Sequence, residues 1–273
     1  MLSTIQLQDI ELLQKECEAA GDFQLKLNWE MLRNRESDHL DFFHYENNEL
    51  AAYLALYPFG STVEVCGMVK PQERRKGHFQ RLFNQAMETI NERPFKKILL
   101  NAPASSQEAK SFLKKNGAEY AFSEHQMKWQ KGDLQIDDSI TLRPAAPEDL
   151  ALRIQLSVDG FGMSEEDARE SETRVEEYDK NTMFMVEADG QPVGKIRLSL
   201  EDGEVWIYGF VISADQRGKG IGRKVLSKVI KEESGKGHSI HLEVEAKNDH
   251  ALGLYTSVGF QALHAQDYYL HQI

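Results

Sequence analysis

The order of apolar and polar positions predicts two successive mixed sheets, each carrying helices. Between residue 5 and about residue 35, IQLQDIELL and LNWEML have helical spacing. Runs near 40–45 and 50–57 and over 62–69 predict strands. The turn KPQERRKGHF then enters the helical pattern HFQRLFNQAMETI, followed by the strand KKILLN and a helix in SQEAKSFLKKNGA. The polar stretch QKGDLQIDDS, residues 130–139, predicts a linker, which gives domains at 1–132 and 139–273.

The second half runs in a similar order. A strand, ITLRPA, precedes the helix start PEDLALRIQL, which Gly160-Phe161-Gly162 breaks. A second, acidic helix opens with Ser164 three residues before Asp167, an approximate capping box. Strands TMFMVEA and VGKIRLSL flank a DGQP turn and lead to a central strand at about Val205. Then come a helix through KVLSKVI, the strand IHLEVEAK, a helix opened by Asn248, and a last hairpin ending DYYL.

The candidate chemistry lies after the central strand, in IYGFVISADQRGKGIGR, residues 207–223. Gly218, Gly220 and Gly222 let backbone N–H groups approach a ligand, and the helix start that follows favours an anion. Arg217, Lys219 and Arg223 add positive charge. The phosphate loop GxxxxGK[ST] is absent. The dinucleotide fingerprint GxGxxG starts at Gly218 and Gly220 but meets Arg223 where its third glycine belongs, with Glu243 as the ribose ligand of that reading.

This stretch resembles motif A of the GNAT superfamily of N-acetyltransferases, [QR]-x-x-G-x-[GA], through Arg217, Gly220 and Gly222. A second signature of that superfamily, LEVxxxNxxAxxLYxxxGF, is similar to Leu242, Glu243, Val244, Asn248, Ala251, Leu254, Tyr255, Gly259 and Phe260. The resemblance implies an α/β (α+β) fold of two GNAT-like domains, each a mixed, largely antiparallel sheet with helices on both faces. It implies acetyl-CoA as cosubstrate and a primary amine as acceptor. The pantetheine arm would meet the backbone of Phe210, Val211 and Ile212, and the pyrophosphate would meet the turn through Arg217, Gly218, Lys219, Gly220, Ile221, Gly222 and Arg223. Asn248 would support the arm or the helix start. Tyr255 would be the general acid, and Glu243 a base through water, with Glu204 or Tyr208 as alternatives.

The first half resembles a worn copy of the second. Setting Gly77 on Gly220 puts Arg74 on Arg217 but Phe79 on Gly222, while Leu113 stands in the place of Tyr255 and Ser106 in that of Asn248. Loss of catalysis is expected there, with Arg74, Arg75 and Lys76 either retaining a CoA-like ligand or forming a solvated turn. A CoA-binding sensor without turnover is the alternative for the whole chain.

Charge narrows the partners. A net charge of -12 and a mean hydropathy of -0.52 argue against nucleic acid and membranes. Cys17 and Cys66 show neither a disulfide framework nor metal spacing, so reduced thiols, no metal and a cytoplasmic location are expected. Residues 1–135 hold 17 Lys and Arg against 19 Asp and Glu, and the remainder 15 against 25. Eight carboxylates, Glu165, Glu166, Asp167, Glu170, Glu172, Glu176, Glu177 and Asp179, crowd the second helix of that half, which suggests a cationic acceptor, either a small molecule or a peptide.

Overall fold

The computed structural model describes residues 1–21, 23–35, 39–132, 134 and 136–272. Residues 133 and 135 of the expected linker lie outside the described residues. In chain order the elements are α1 (Thr4–Gly21), α2 (Trp29–Arg33), β1 (Asp41–Glu46), β2 (Glu49–Phe59), β3 (Thr62–Val69), α3 (His78–Asn91), β4 (Lys97–Pro103), α4 (Gln107–Lys115) and β5 (Glu119–Trp129). They continue with β6 (Ile140–Pro144), α5 (Leu150–Phe161), α6 (Glu165–Tyr178), β7 (Met183–Ala188), β8 (Gln191–Glu201), β9 (Glu204–Ile212), α7 (Ile221–Gly235), β10 (Ser239–Glu245), α8 (Asp249–Ser257) and β11 (Phe260–His271).

These form two compact units, residues 1–123 with 264–273, and residues 124–263. The division differs from the expected contiguous domains 1–132 and 139–273 because part of the last strand of each half, residues 124–129 of β5 and 264–271 of β11, belongs to the other unit. In the first unit the strands run β1-β2-β3-β4, and residues 266–271 of β11 pair antiparallel with β4. In the second they run β6-β7-β8-β9-β10, and residues 124–128 of β5 pair antiparallel with β10. One parallel pair sits inside each sheet, β3 with β4 and β9 with β10.

The expected C-terminal hairpin is therefore replaced by the single strand β11. Its sequence, FQALHAQDYYLH, has no Gly, Pro or Asn to turn the chain, so it continues extended. β5, absent from the expected order of elements, fills the place beside β10. Where turn chemistry is present the expectations hold. Asp189 and Gly190 of the expected DGQP turn both have positive φ, as a tight hairpin turn requires, and Asp202-Gly203 makes a second such turn. The Ser164 hydroxyl accepts the Asp167 N–H at 3.1 Å. Gly160 and Phe161 remain in α5, which ends at Gly162 with φ of 65°.

Each sheet is covered on both faces. In the first unit α1 packs Ile10, Leu13 and Cys17 on Tyr53, Tyr57 and Met68, while α3 and α4 bring Leu82, Phe83, Ile90 and Leu113 to Leu54, Val65 and Leu100. In the second, Val225, Leu226, Val229 and Tyr255 meet Ile207, Ile240 and Leu242 on one face, and Leu156 meets Met185 and Val211 on the other. The exchanged strands enter these cores, with Tyr269 in the first and Met127 in the second.

Tyr269 is 2% exposed, so Tyr269→Ala should cost about 3–5 kcal/mol, the usual range for deleting a buried aromatic. Hydrogen exchange should then accelerate over residues 50–102 and not over 183–245. Acceleration confined to the second segment would contradict the strand exchange.

Candidate active site

The opening in the second unit comes from an interrupted ladder. β9 and β10 pair only from Glu204 to Ile207 and from Ser239 to Leu242, yet β9 continues to Ile212 and β10 to Glu245. On its other edge β9 pairs Tyr208 with Arg197 and Val211 with Lys195, so two of its residues, Gly209 and Phe210, oppose one of β8. This is a β-bulge, and Gly209 takes a φ of 55° that a residue with a Cβ rarely adopts. Ser213 N–H donates to Val193 C=O at 2.8 Å. Alternation along an antiparallel pair then turns the N–H of Ile212 away from β8, toward the opening. The same alternation turns the backbone of Val211 toward β8, and its side chain packs on Leu156 and Met185. Of the expected arm-facing positions 210–212, Val211 thus turns its backbone to β8 and Ile212 turns its N–H away from β8.

The turn beyond β9 presents donors. Gly218 and Gly220 have φ of 77° and 78°, and no atom lies within 4 Å of a Cβ built on either. No side chain caps α7, whose first internal bond runs from Lys224 N–H to Gly220 C=O. The N–H groups of Ile221, Gly222 and Arg223 therefore lack helical acceptors and carry the positive end of the helix dipole. Lys219 and Arg223 are exposed beside them. Arg217 has a structural task as well, because its Nε donates to Ile212 C=O at 2.8 Å and ties the turn to the strand.

α8 supplies the remaining groups. The Asn248 side chain accepts the Ala251 N–H at 3.1 Å, so it caps this helix, the second of the two roles expected of it. Tyr255 is 9% exposed and edge-on to Phe260. Burial pushes its phenol up to about 12, so at neutral pH it stays protonated and can act as an acid rather than as a phenolate base.

The first unit keeps the frame of this site but fills it. Arg75 and Gly77 have φ of 66° and 87°, and Arg74 Nε donates to Val69 C=O at 3.2 Å, as Arg217 does to Ile212. The register of β2 with β3 has no bulge. A Cβ on Gly67 would lie 2.5 Å from the ring of Phe79, which packs edge-on against Phe112 at 5.0 Å. Phe79 thus covers the strand where the second unit is open, and Leu113, in the place of Tyr255, is buried in the core.

The acetyltransferase (GNAT) family model matches residues 5–118 and again 153–260. The chain belongs to the GNAT acetyltransferase family. A GCN5-related N-acetyltransferase from Sphaerobacter thermophilus has a similar structure, with a TM-score of 0.76, 21% identity, and coverage of 96% of this chain and 91% of that one. A GNAT-family acetyltransferase from Colwellia psychrerythraea superposes with a TM-score of 0.63 at 17% identity, covering 100% and 98%. A tandem GNAT protein from the clavulanic acid biosynthesis pathway gives 0.70 at 14% identity, covering 99% and 96%. No curated protein matches the sequence significantly.

On the α5 side of the second GNAT sheet, a row of rings borders the opening. Tyr208 stacks on Trp206 at 6.3 Å, and Trp206 on His241 at 5.0 Å. Glu243 lies beside them and accepts from Gln126 at 3.1 Å, while Glu204 is 3.7 Å from His241. The alternation of β9 and β10 places Trp206 and His241 on the face that carries Glu243, so this signal was present in the sequence. Gln126 was hidden, because it comes from β5.

The acidic helix is less free than its composition suggests. Glu172 and Glu176 pair with the fully buried Arg153 at 2.9 and 2.5 Å, and Glu172 also meets Lys195. Glu165 pairs with Arg169, Glu170 with Arg174 and Asp179 with Arg197. The field that this helix offers a cationic acceptor is largely neutralised within the protein.

Burial lowers the pKa of His241, opposed by Glu204. The unfolded chain takes up this proton at about pH 6.5 and the folded chain only below it, so stability is lost as pH falls from about 6.5 toward the folded value. His241→Gln should flatten that part of a urea-midpoint profile between pH 7.5 and 5. Parallel profiles for the two proteins would refute the assignment.

Proposed function

We propose that this protein is an acetyl-CoA-dependent N-acetyltransferase whose C-terminal unit passes the acetyl group directly to a primary amine of a small molecule or peptide. The supporting observation is that the bulged, open strand and the buried, protonated Tyr255 occur together in one unit, and that Phe79 and Leu113 stand in their places in the other. In this reading the N–H groups of 221–223, with Lys219 and Arg223, hold the pyrophosphate, and β9 guides the pantetheine arm past Phe210 to Ile212. The Ile212 N–H faces the thioester oxygen and stabilises the charge that develops there as the amine adds. Glu243 takes the proton of the amine, directly or through water, and Tyr255 donates to the departing sulfur. Holding both reactants in line accounts for several kcal/mol of the barrier, so few side chains are needed.

The acceptor is an amine that approaches along Trp206, Tyr208 and Glu243. A cationic acceptor remains the preferred class, but its attraction rests on Glu204, Glu243 and Glu245 on the sheet rather than on α6. Neither nucleic acid nor a membrane is needed as partner, and among the described residues no helix is long and apolar enough to span a bilayer. A cytoplasmic setting suits Cys17 and Cys66, whose thiols are buried and unpaired, with pKa values pushed up by burial.

Tyr255→Phe should lower kcat by about 100-fold or more while leaving acetyl-CoA affinity little changed, since the hydroxyl acts mainly in the transition state. CoA thiol release measured against spermidine, an aminoglycoside, lysine-containing peptides and glutamate gives the readout. Unchanged kcat with chemistry rate-limiting would remove the role. Acetyl-CoA binding with no thiol release on any amine would favour a sensor.

A further inference from the structure

The N-terminal unit contains a cluster that acetyl transfer does not use. His44 and Glu46 alternate along β1 and share a face, and His78 is the first residue of α3. A ring nitrogen of each histidine and a carboxylate oxygen of Glu46 all lie within 4.8 Å of one another. His44 Nε2 is 2.8 Å from Glu46 Oε1, and the two rings stack with centroids 4.2 Å apart. Glu73, in the turn before α3, places Oε2 3.4 Å from His78 Nε2. His78 is only 6% exposed, and its Nε2 is buried without a hydrogen bond.

The second unit shows what these positions hold when no such cluster is built. His44 is paired with Ala52 and Ala52 with Val69, whose carbonyl receives Arg74. Val186 is paired with Gly194 and Gly194 with Ile212, whose carbonyl receives Arg217. His44 therefore corresponds to Val186, Glu46 to Ala188, Glu73 to Gln216 and His78 to Ile221. Val186 and Ile221 are buried members of an apolar core. In the first unit both have become imidazoles, with a carboxylate at each flank. Burying imidazoles in place of aliphatic side chains is unfavourable unless their nitrogens are satisfied, and His78 Nε2 makes no hydrogen bond, with the Glu73 carboxylate near it at 3.4 Å.

We propose that His44, Glu46 and His78 bind a divalent transition-metal ion, with zinc suited to two imidazoles and a carboxylate, and Glu73 or water as the fourth ligand. Tetrahedral bonds of about 2.0–2.1 Å set ligand atoms about 3.3 Å apart, so the cluster closes by roughly 1.5 Å at most. Two adjustments accompany binding. The rings tilt out of their stack, and Arg81, whose Nη2 lies 3.2 Å from His78 Nδ1, turns into solvent as that nitrogen takes the proton. Arg81 is already exposed, so the movement is small in cost. The ion would tie β1 to the start of α3, where the second unit uses the apolar Val186 and Ile221. The expectation of no metal rests on the spacing of cysteines and of histidines near them, which carries no signal of this set.

The test uses the full-length protein, stripped with EDTA and titrated with zinc by calorimetry and with Co(II) in the visible. One zinc per chain, tetrahedral cobalt bands and a zinc-dependent rise in Tm are expected. The double variant His44→Val/His78→Ile restores the pair found in the second unit and should fold while losing all three signals. Glu46→Gln, at a partly exposed side chain, should weaken zinc binding by at least about tenfold. Absence of zinc binding at micromolar concentration, or binding of equal strength in either variant, would overturn the proposal.

Discussion

The ladder between β9 and β10 stops after Ile207 and Leu242, and the site depends on that interruption. A backbone N–H in a sheet is normally satisfied by its neighbour, so a strand can serve a ligand only where pairing fails. Here the bulge at Gly209 and Phe210 bends β9 at the place where the partner strand ends, and the positive φ of Gly209 makes the bend inexpensive. The glycine turn and the uncapped α7 extend the row of free donors from strand to helix. Strand, turn and helix thus give one surface of free donors suited to an elongated anion.

The two units show how such a site is lost while the fold is kept. A ring stands on the strand at Phe210 and a glycine on the helix at Gly222; in the first unit the glycine is Gly67 and the ring is Phe79. The ring placed on the helix fills the groove, although β3 and β4, like β9 and β10, stop pairing before their ends, after Val65 and Leu100. On the other face of the second unit, Arg153, Glu172, Ser157 and Lys195 form a buried polar network that joins α5 and α6 to β8. Such a network adds little net stability, but removing one member strands the others, so it holds the helices in one position beside the bulge. Carboxylates that look like an acceptor rim in the sequence are therefore partly structural.

Much of this was legible in the sequence. Strand β3 and the starts of α6, α7 and α8 follow from apolar period and from caps such as Ser164, which are local properties. The turn at 217–223 and Tyr255 followed from motif spacing. The exchanged strands did not, because the partner of Glu243 is Gln126, 117 residues away, and no local pattern encodes that distance. The histidine cluster was hidden for the same reason, since His44 and His78 meet only when β1 and α3 fold against one another. The pairing of the α6 carboxylates with Arg153 and Lys195 was invisible to charge counting.

The central claim is that one of two similar frames is open to an acyl-CoA and the other is closed by Phe79. Hydrogen exchange with and without saturating acetyl-CoA, combined with calorimetric stoichiometry, tests it most directly. The account predicts one acetyl-CoA per chain, with protection gained over 208–223 and around Tyr255 and none over 67–79. Two molecules per chain, or protection gained over 67–79, would contradict it.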